Sequence, residues 1–334
     1  LAAASGIIGA SITLMTILAL PAMHKCKYDA KLAAGTIMAA GCLGTLIPPS
    51  IILVIYGAQA QISIGKLFAG GIGSGLTLSV LYLVYIIWKI VTKPESAPAI
   101  DPSEAAKYSR TQKWYMFFKS VLPTSILILL VLGTILVGAA TPTEAAALGC
   151  CGAMAVAIYN KKLNWKVTKE CCYLTVKTTS MIMFIILGAT MFTAVFLGLG
   201  GGDAINSIVS GLNVNPWVIV SLIFFILYIM GMFIDCYGML LIGIPVFTPI
   251  INAMGFDPLW FGVMFAVMIQ ISYLSPPFSY AAFYVKGVAQ QQKIPIPISE
   301  LYWATIPFMV MQVIGVILMC LFPDIVTWIP NHIF

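Results

Sequence analysis

Gly44-Thr45-Leu46-Ile47-Pro48-Pro49-Ser50 interrupts an apolar run from about Leu32 to Tyr56. Two consecutive prolines cannot continue an α-helix, because they lack N–H donors and their rings clash with the preceding turn. Pro48 also pushes Ile47 out of helical geometry. A segment long enough to cross a bilayer is therefore broken near its middle. A second break, Leu274-Ser275-Pro276-Pro277-Phe278-Ser279, lies inside the apolar run Leu259 to Tyr284. Paired, interrupted hydrophobic segments are the sequence pointer to a transporter binding site.

The rest of the chain agrees with a membrane setting. Of 334 residues, 61% are hydrophobic and 8% charged, where a soluble domain carries roughly 25% charged residues. The chain reads as an all-α polytopic membrane protein. It starts at Leu1, already inside an apolar stretch, which is the expectation for a chain lacking its N-terminal part. The net charge of +6 comes from sixteen Lys and one Arg against eleven acids. The lysines cluster in short loops between spans, the positive-inside pattern, so nucleic-acid binding is excluded as the reason for the charge. The eight cysteines form no Cys-x-x-Cys pair, and the two histidines are His24 and His332. No metal-ligand spacing, nucleotide-binding Gly-rich loop or Ser/His/Asp set is present, so neither an enzyme nor an ATP-driven pump is expected.

The two breaks align at a fixed offset of 228 residues. Pro21 falls on Pro249, Asp29 on Asp257, Pro48-Pro49 on Pro276-Pro277 and Tyr56 on Tyr284. Lysine placement gives the two units opposite hands. The loop before the first broken span is basic and the loop after it is not; in the second unit the order is reversed. The expected organisation is a first inverted repeat over 1–91, a cytoplasmic linker over 92–115 and a second repeat over 116–334. Within the second repeat, Thr141 or Thr143 caps a helix with Glu144 in its first turn. Residues 163–177 read as an amphipathic connector before a span at 178–199, and a short helix is expected over 204–212. The stretch 217–251 is either a re-entrant hairpin or two spans. Asp235 at its middle favours the hairpin, since a carboxylate at bilayer depth costs on the order of 3 kcal/mol.

Broken helices leave backbone groups unpaired at membrane depth, which only protein, ions or water can satisfy. The breaks supply Gly41, Gly44, Thr45 and Ser50, and Ser272, Ser275 and Ser279. The facing hairpins supply Ser5, Ser11, Gly231, Asp235 and Gly238. Hard oxygen donors without thiol or imidazole suit an alkali cation. Two other readings remain open: a sodium- or proton-coupled antiporter or symporter that needs no binding protein, with Asp235 carrying the proton, and a membrane scaffold or channel with structural kinks.

At these residues the sequence resembles the large membrane (permease) subunit of tripartite ATP-independent periplasmic (TRAP) transporters. The matching text is Leu46-Ile47-Pro48-Pro49-Ser50-Ile51, Ser63-Ile64-Gly65-Lys66-Leu67-Phe68-Ala69-Gly70, Ala140-Thr141-Pro142-Thr143-Glu144-Ala145-Ala146-Ala147, Gly231-x-x-x-Asp235, and Phe256-Asp257-Pro258-Leu259-Trp260-Phe261-Gly262 through Ser275-Pro276-Pro277-Phe278. The resemblance implies an inverted-repeat, elevator-type ion-transporter fold with re-entrant hairpins, in a bacterial inner membrane. It implies Na⁺ as coupling ion with no other cofactor, organic acids such as dicarboxylates or sugar acids as cargo, and a small membrane subunit and a periplasmic solute-binding protein as partners. Carried onto this chain, one Na⁺ site falls at Ser5, Gly41, Gly44 and Thr45, the other at Gly231, Ser272, Ser275 and Phe278. Cargo would sit near Ser11, Ser50, Asp235 and Ser279. Two departures stand out. The first hairpin reads Ser5-Gly6-Ile7-Ile8 where the family often has Ser-Gly-Ser-Ser. The second break carries Ser275 and Ser279 where the family usually has Thr and Gly.

Overall fold

The computed structural model describes residues 8–98, 109–202, 204, 207 and 214–334. Ser5, the middle of the linker and most of the expected helix 204–212 lie outside them. The described residues form thirteen α-helices, one 3₁₀ turn (Pro94–Ser96) and no strand. In chain order they are α1 (Ile8–Lys25), α2 (Ala30–Leu43), α3 (Ile51–Ala60), α4 (Ile64–Thr92), α5 (Arg110–Leu136), α6 (Pro142–Tyr159) and α7 (Trp165–Gly198). Then follow α8 (Pro216–Phe233), α9 (Cys236–Ala253), α10 (Pro258–Leu274), α11 (Tyr280–Gln291), α12 (Ile298–Leu321) and α13 (Asp324–Ile333). Among the described residues, eight helices are long and apolar enough to cross a membrane: α1, α4, α6 to α9, α12 and, within α5, Trp114–Leu136. The halves of the broken segments, α2 with α3 and α10 with α11, are each too short to span alone.

Helix ends follow local chemistry. Asp29 caps α2 by accepting from Lys31 N at 3.1 Å, and Asp257 caps α10 by accepting from Leu259 N at 2.8 Å. Aspartates matched at the sequence offset thus do the same work at the same helix start. Thr141, rather than Thr143, caps α6 in a reciprocal box: Glu144 N donates to Thr141 Oγ1 and the Glu144 carboxylate accepts from Thr141 N at 2.8 Å. The expected connector over 163–177 runs into the span after it without a break. Residues Trp165–Gly198 form one continuous helix of 34 residues. No proline or glycine lies between Trp165 and Ile186 to stop it, and Lys166, Lys169 and Lys177 stay exposed, so helix continuation leaves no charge buried.

The contacts repeat when the two units are exchanged. α1 packs on α2 and on α11; its counterpart α9 packs on α10 and on α3. α2 packs on α12, and α10 on α4; α4 and α12 pack on each other, as do α2 and α10. Each hairpin arm therefore touches the first half of its own broken helix and the second half of the other. At the centre, every residue of α10 from Leu259 to Leu274 is buried, whereas α7 buries none. Close approach is set by glycine: a Cβ on Gly262 would sit 2.4 Å from the Tyr56 ring, and one on Gly35 2.5 Å from the Ala304 carbonyl oxygen.

Candidate functional site: the two helix breaks and the cavity between them

Both breaks turn through a cis Pro-Pro bond, at Pro48-Pro49 and Pro276-Pro277. A serine bridges each of them. Ser50 Oγ accepts from Leu53 N at the start of α3 and donates to the Thr45 carbonyl on the far side of the break. Ser279 Oγ accepts from Ala282 N at 3.3 Å and donates to the Tyr273 carbonyl at 3.2 Å. The two serines are 229 residues apart, so the repeat slips by one residue after the prolines. The sequence alignment at 228 pairs Ser50 with Phe278; in the structure its counterpart is Ser279.

At the end of α2 the Thr45 amide and hydroxyl both donate to the Cys42 carbonyl, at 3.1 and 2.8 Å. The Gly41 carbonyl thereby loses the donor four residues on that a continuing helix would give it. Gly41 lies against α1, where a Cβ would come within 2.4 Å of Ile12. At the end of α10 the Ser275 amide turns to the Ser272 carbonyl, and Ser275 Oγ donates instead to the Ile271 carbonyl at 2.8 Å. Ser272 Oγ donates to the Met268 carbonyl at 3.0 Å. A hydroxyl that donates its proton to the backbone keeps lone pairs for a cation.

The structure brings Gly231 and Ser272 together: a Cβ on Gly231 would stand 1.9 Å from Ser272 Oγ. Both line a void of about 10 Å³ enclosed with Cys236 and Tyr273, the scale of a single water or ion. Ser275 is not part of its wall and lies 4.0 Å from Met309 Sδ on α12. The Phe278 side chain is 54% exposed, so only its backbone could contribute to a buried ion site.

A larger cavity of about 840 Å³ opens between α1, α3, α7, α9 and α11, within the usual size of ligand sites. Of the four cargo candidates, Asp235 lines it; Ser11, Ser50 and Ser279 are buried elsewhere in the packing. Thr45 reaches it from the first break. Asp235 sits at the N-cap of α9 but makes no side-chain cap bond. Its carboxylate accepts from Cys236 Sγ at 3.3 Å. Sequence reasoning missed the tyrosines that wall this space, Tyr237, Tyr273, Tyr280 and Tyr284. Their signal was present: three of them flank Pro276-Pro277 within eight residues of it. No group of three His, Cys, Asp or Glu side chains able to hold a metal occurs among the described residues.

Eight apolar helices and a core of mutually packed, interrupted helices define an integral membrane transport protein. Residues 1–325 match the DctM component of the tripartite ATP-independent periplasmic transporters, and the chain belongs to that family. It is thus a large permease subunit of the inner membrane and not an enzyme. It is 30% identical over 331 residues to the C4-dicarboxylate TRAP transporter large permease protein DctM of Pseudomonas aeruginosa, covering 99% of this chain and 74% of that one. It is also 30% identical to the sialic acid TRAP transporter large permease protein SiaM of Vibrio cholerae, covering 94% and 71%. The isethionate TRAP transporter permease protein DctMQ of Oleidesulfovibrio alaskensis is 30% identical over 91% of this chain and 48% of its own length.

Proposed function

We propose that this chain is the transport subunit of a Na⁺-coupled importer of organic acids. It would receive cargo from a periplasmic solute-binding protein and work beside a small membrane subunit. The observation that carries this reading is the pair of helix breaks, each lined by carbonyl and hydroxyl oxygens and faced by an arm of its own unit's hairpin. In this reading one Na⁺ is held near Gly41, Gly44 and Thr45 with Ser5, and another near Gly231 and Ser272 with Ser275 and the Phe278 backbone. The two inverted repeats, 1–91 and 116–334 joined by 92–115, move the site across the bilayer as an elevator. Cations beside a bound carboxylate offset its charge, which reduces the cost of carrying it through a low-dielectric layer.

Asp235 at the cavity wall favours one second reading. A proton on that carboxylate would replace Na⁺ as the coupling ion, and the binding protein would be dispensable. Uptake by the full-length protein in proteoliposomes separates the two. Accumulation that needs both an inward Na⁺ gradient and the binding protein supports the first. Accumulation that follows a pH gradient and survives omission of the binding protein overturns it in favour of the second.

A further inference from the structure

Three relatives named for C4-dicarboxylate, sialic acid and isethionate are equally similar to this chain, so overall identity does not fix the cargo. The cavity wall is more informative. We propose, resting on the organic-acid reading above, that this cavity takes an acid with one carboxylate on an apolar or aromatic body and discriminates against C4-dicarboxylates and sugar acids.

The charge of the wall is the first argument. No Lys, Arg or His lines the cavity among the described residues, and Asp235 contributes a negative charge. A single carboxylate can orient away from Asp235, towards the helix breaks. A second carboxylate on the same small molecule would be left in the cavity with an anion and no cationic side chain. Like charges a few ångströms apart in a partly desolvated site repel strongly.

The second argument is the chemistry of the remaining surface, which is mostly apolar. Tyr237, Tyr273, Tyr280 and Tyr284 line it. Tyr273 and Tyr280 meet edge-to-face with centroids 6.1 Å apart, an arrangement that holds flat ring faces in fixed positions. The lining from α1 and α3 is largely aliphatic, including Leu14, Ile51 and Ile52, with Thr13 as its one hydroxyl. A polyhydroxylated acid needs a donor or acceptor for each hydroxyl it desolvates. Thr13, Thr178 and the tyrosines offer single hydroxyls, and Thr45 already gives its proton to the Cys42 carbonyl; no carboxamide or cationic side chain, able to hold two sugar hydroxyls at once, lines the cavity among the described residues. An apolar body meets neither problem.

The test is equilibrium binding to the full-length large subunit with its small subunit in lipid nanodiscs, in sodium-containing buffer and without a binding protein, which would impose its own selection. The probes are phenylacetate, succinate and gluconate. Phenylacetate is expected to bind at least roughly tenfold tighter than either of the others. Asp235→Asn should improve succinate binding several-fold more than it improves phenylacetate binding, because succinate carries the second charge that Asp235 repels. Asp235→Ser, a small neutral residue favoured at a helix N-cap, replaces it if the asparagine variant fails to fold. Tyr280→Ala should weaken phenylacetate by roughly tenfold. Tighter binding of succinate or gluconate leaves the organic-acid reading standing and overturns this inference, as does a succinate affinity unmoved by both Asp235 variants. Sodium-dependent binding of none of the three overturns the organic-acid reading and the inference with it.

Discussion

The side-chain amide of Gln270 donates to the backbone carbonyl of Cys42 at 2.8 Å, and the two residues are 228 positions apart. That separation is the offset at which the two halves of the sequence align. The bond therefore joins equivalent points of the two units, each one turn before its own break. Gln270 is fully buried, and its amide oxygen has no hydrogen-bond partner among the described residues.

The balance at Gln270 gives a prediction. The Cys42 carbonyl keeps the Thr45 amide and hydroxyl as donors when Gln270 is replaced. Gln270→Leu removes one good bond and one unsatisfied oxygen while filling the space, so it should change stability by about 1 kcal/mol or less. Gln270→Ala leaves a void at the centre of the protein and should cost about 2–4 kcal/mol. Thermal unfolding of the purified full-length transporter in detergent reads both. Equal losses for the two variants would mean that the crossing bond, and not the filled volume, holds the units together.

Gly231 gives a sharper one. Its missing Cβ would lie 1.9 Å from Ser272 Oγ and 2.3 Å from Ser272 Cβ. Gly231→Ala must separate α8 from α10 and should destabilise by about 1–3 kcal/mol or more, with loss of transport. Ser272→Gly removes both obstructing atoms. The double variant should therefore recover stability relative to Gly231→Ala alone, less about 1 kcal/mol for a glycine near a helix end. A double variant with strictly additive losses would show that the two residues do not meet.

These contacts mark how far the sequence could be read. The double prolines, the capping aspartates and the Thr141 to Glu144 box are local signals, and each appears where the residues place it. The repeat was legible because prolines and aspartates are rare in so apolar a chain. Its one-residue slip was not, since it follows from where the bridging serine stands: Ser50 directly after the first pair of prolines, and Ser279 one residue further on, behind Phe278. The continuity of α7 was hidden by lysines that suggested an interface. The tyrosine wall was hidden differently. Three of its tyrosines stand beside Pro276-Pro277, but Tyr237 is remote in the chain, and in a sequence with 14 tyrosines nothing local joins it to them.

The bridging serines should differ from ordinary helix caps. Ser50→Ala removes a cap and a tie across the break together, at a fully buried position. A cap alone is worth about 0.5–2 kcal/mol, and the lost tie leaves the Thr45 carbonyl without that donor. Ser50→Ala and Ser279→Ala should each lower the unfolding temperature more than Ser63→Ala, whose hydroxyl caps the exposed start of α4 and makes no second bond. Transport measured in parallel should fall for the first two and hold for the third. Equal effects across the three serines would remove the bridge from the account.

Gly9 on α1 faces Tyr284 across the cavity wall. A Cβ there would stand 2.6 Å from Tyr284 Cζ and 2.7 Å from its hydroxyl oxygen. Tyr284 is 43% exposed, so its ring has room to swing away, and Gly9→Ala should leave stability within about 1 kcal/mol. The displaced ring then no longer presents the same face to cargo. The half-saturating cargo concentration is expected to rise, by roughly tenfold if the ring contributes a full aromatic contact, with the maximal rate little changed. Tyr284→Ala should raise it by a similar factor. Combining the two should add nothing further, because both act by removing one ring from one place. Multiplying effects in the double variant would mean that Gly9 influences cargo by some route other than Tyr284.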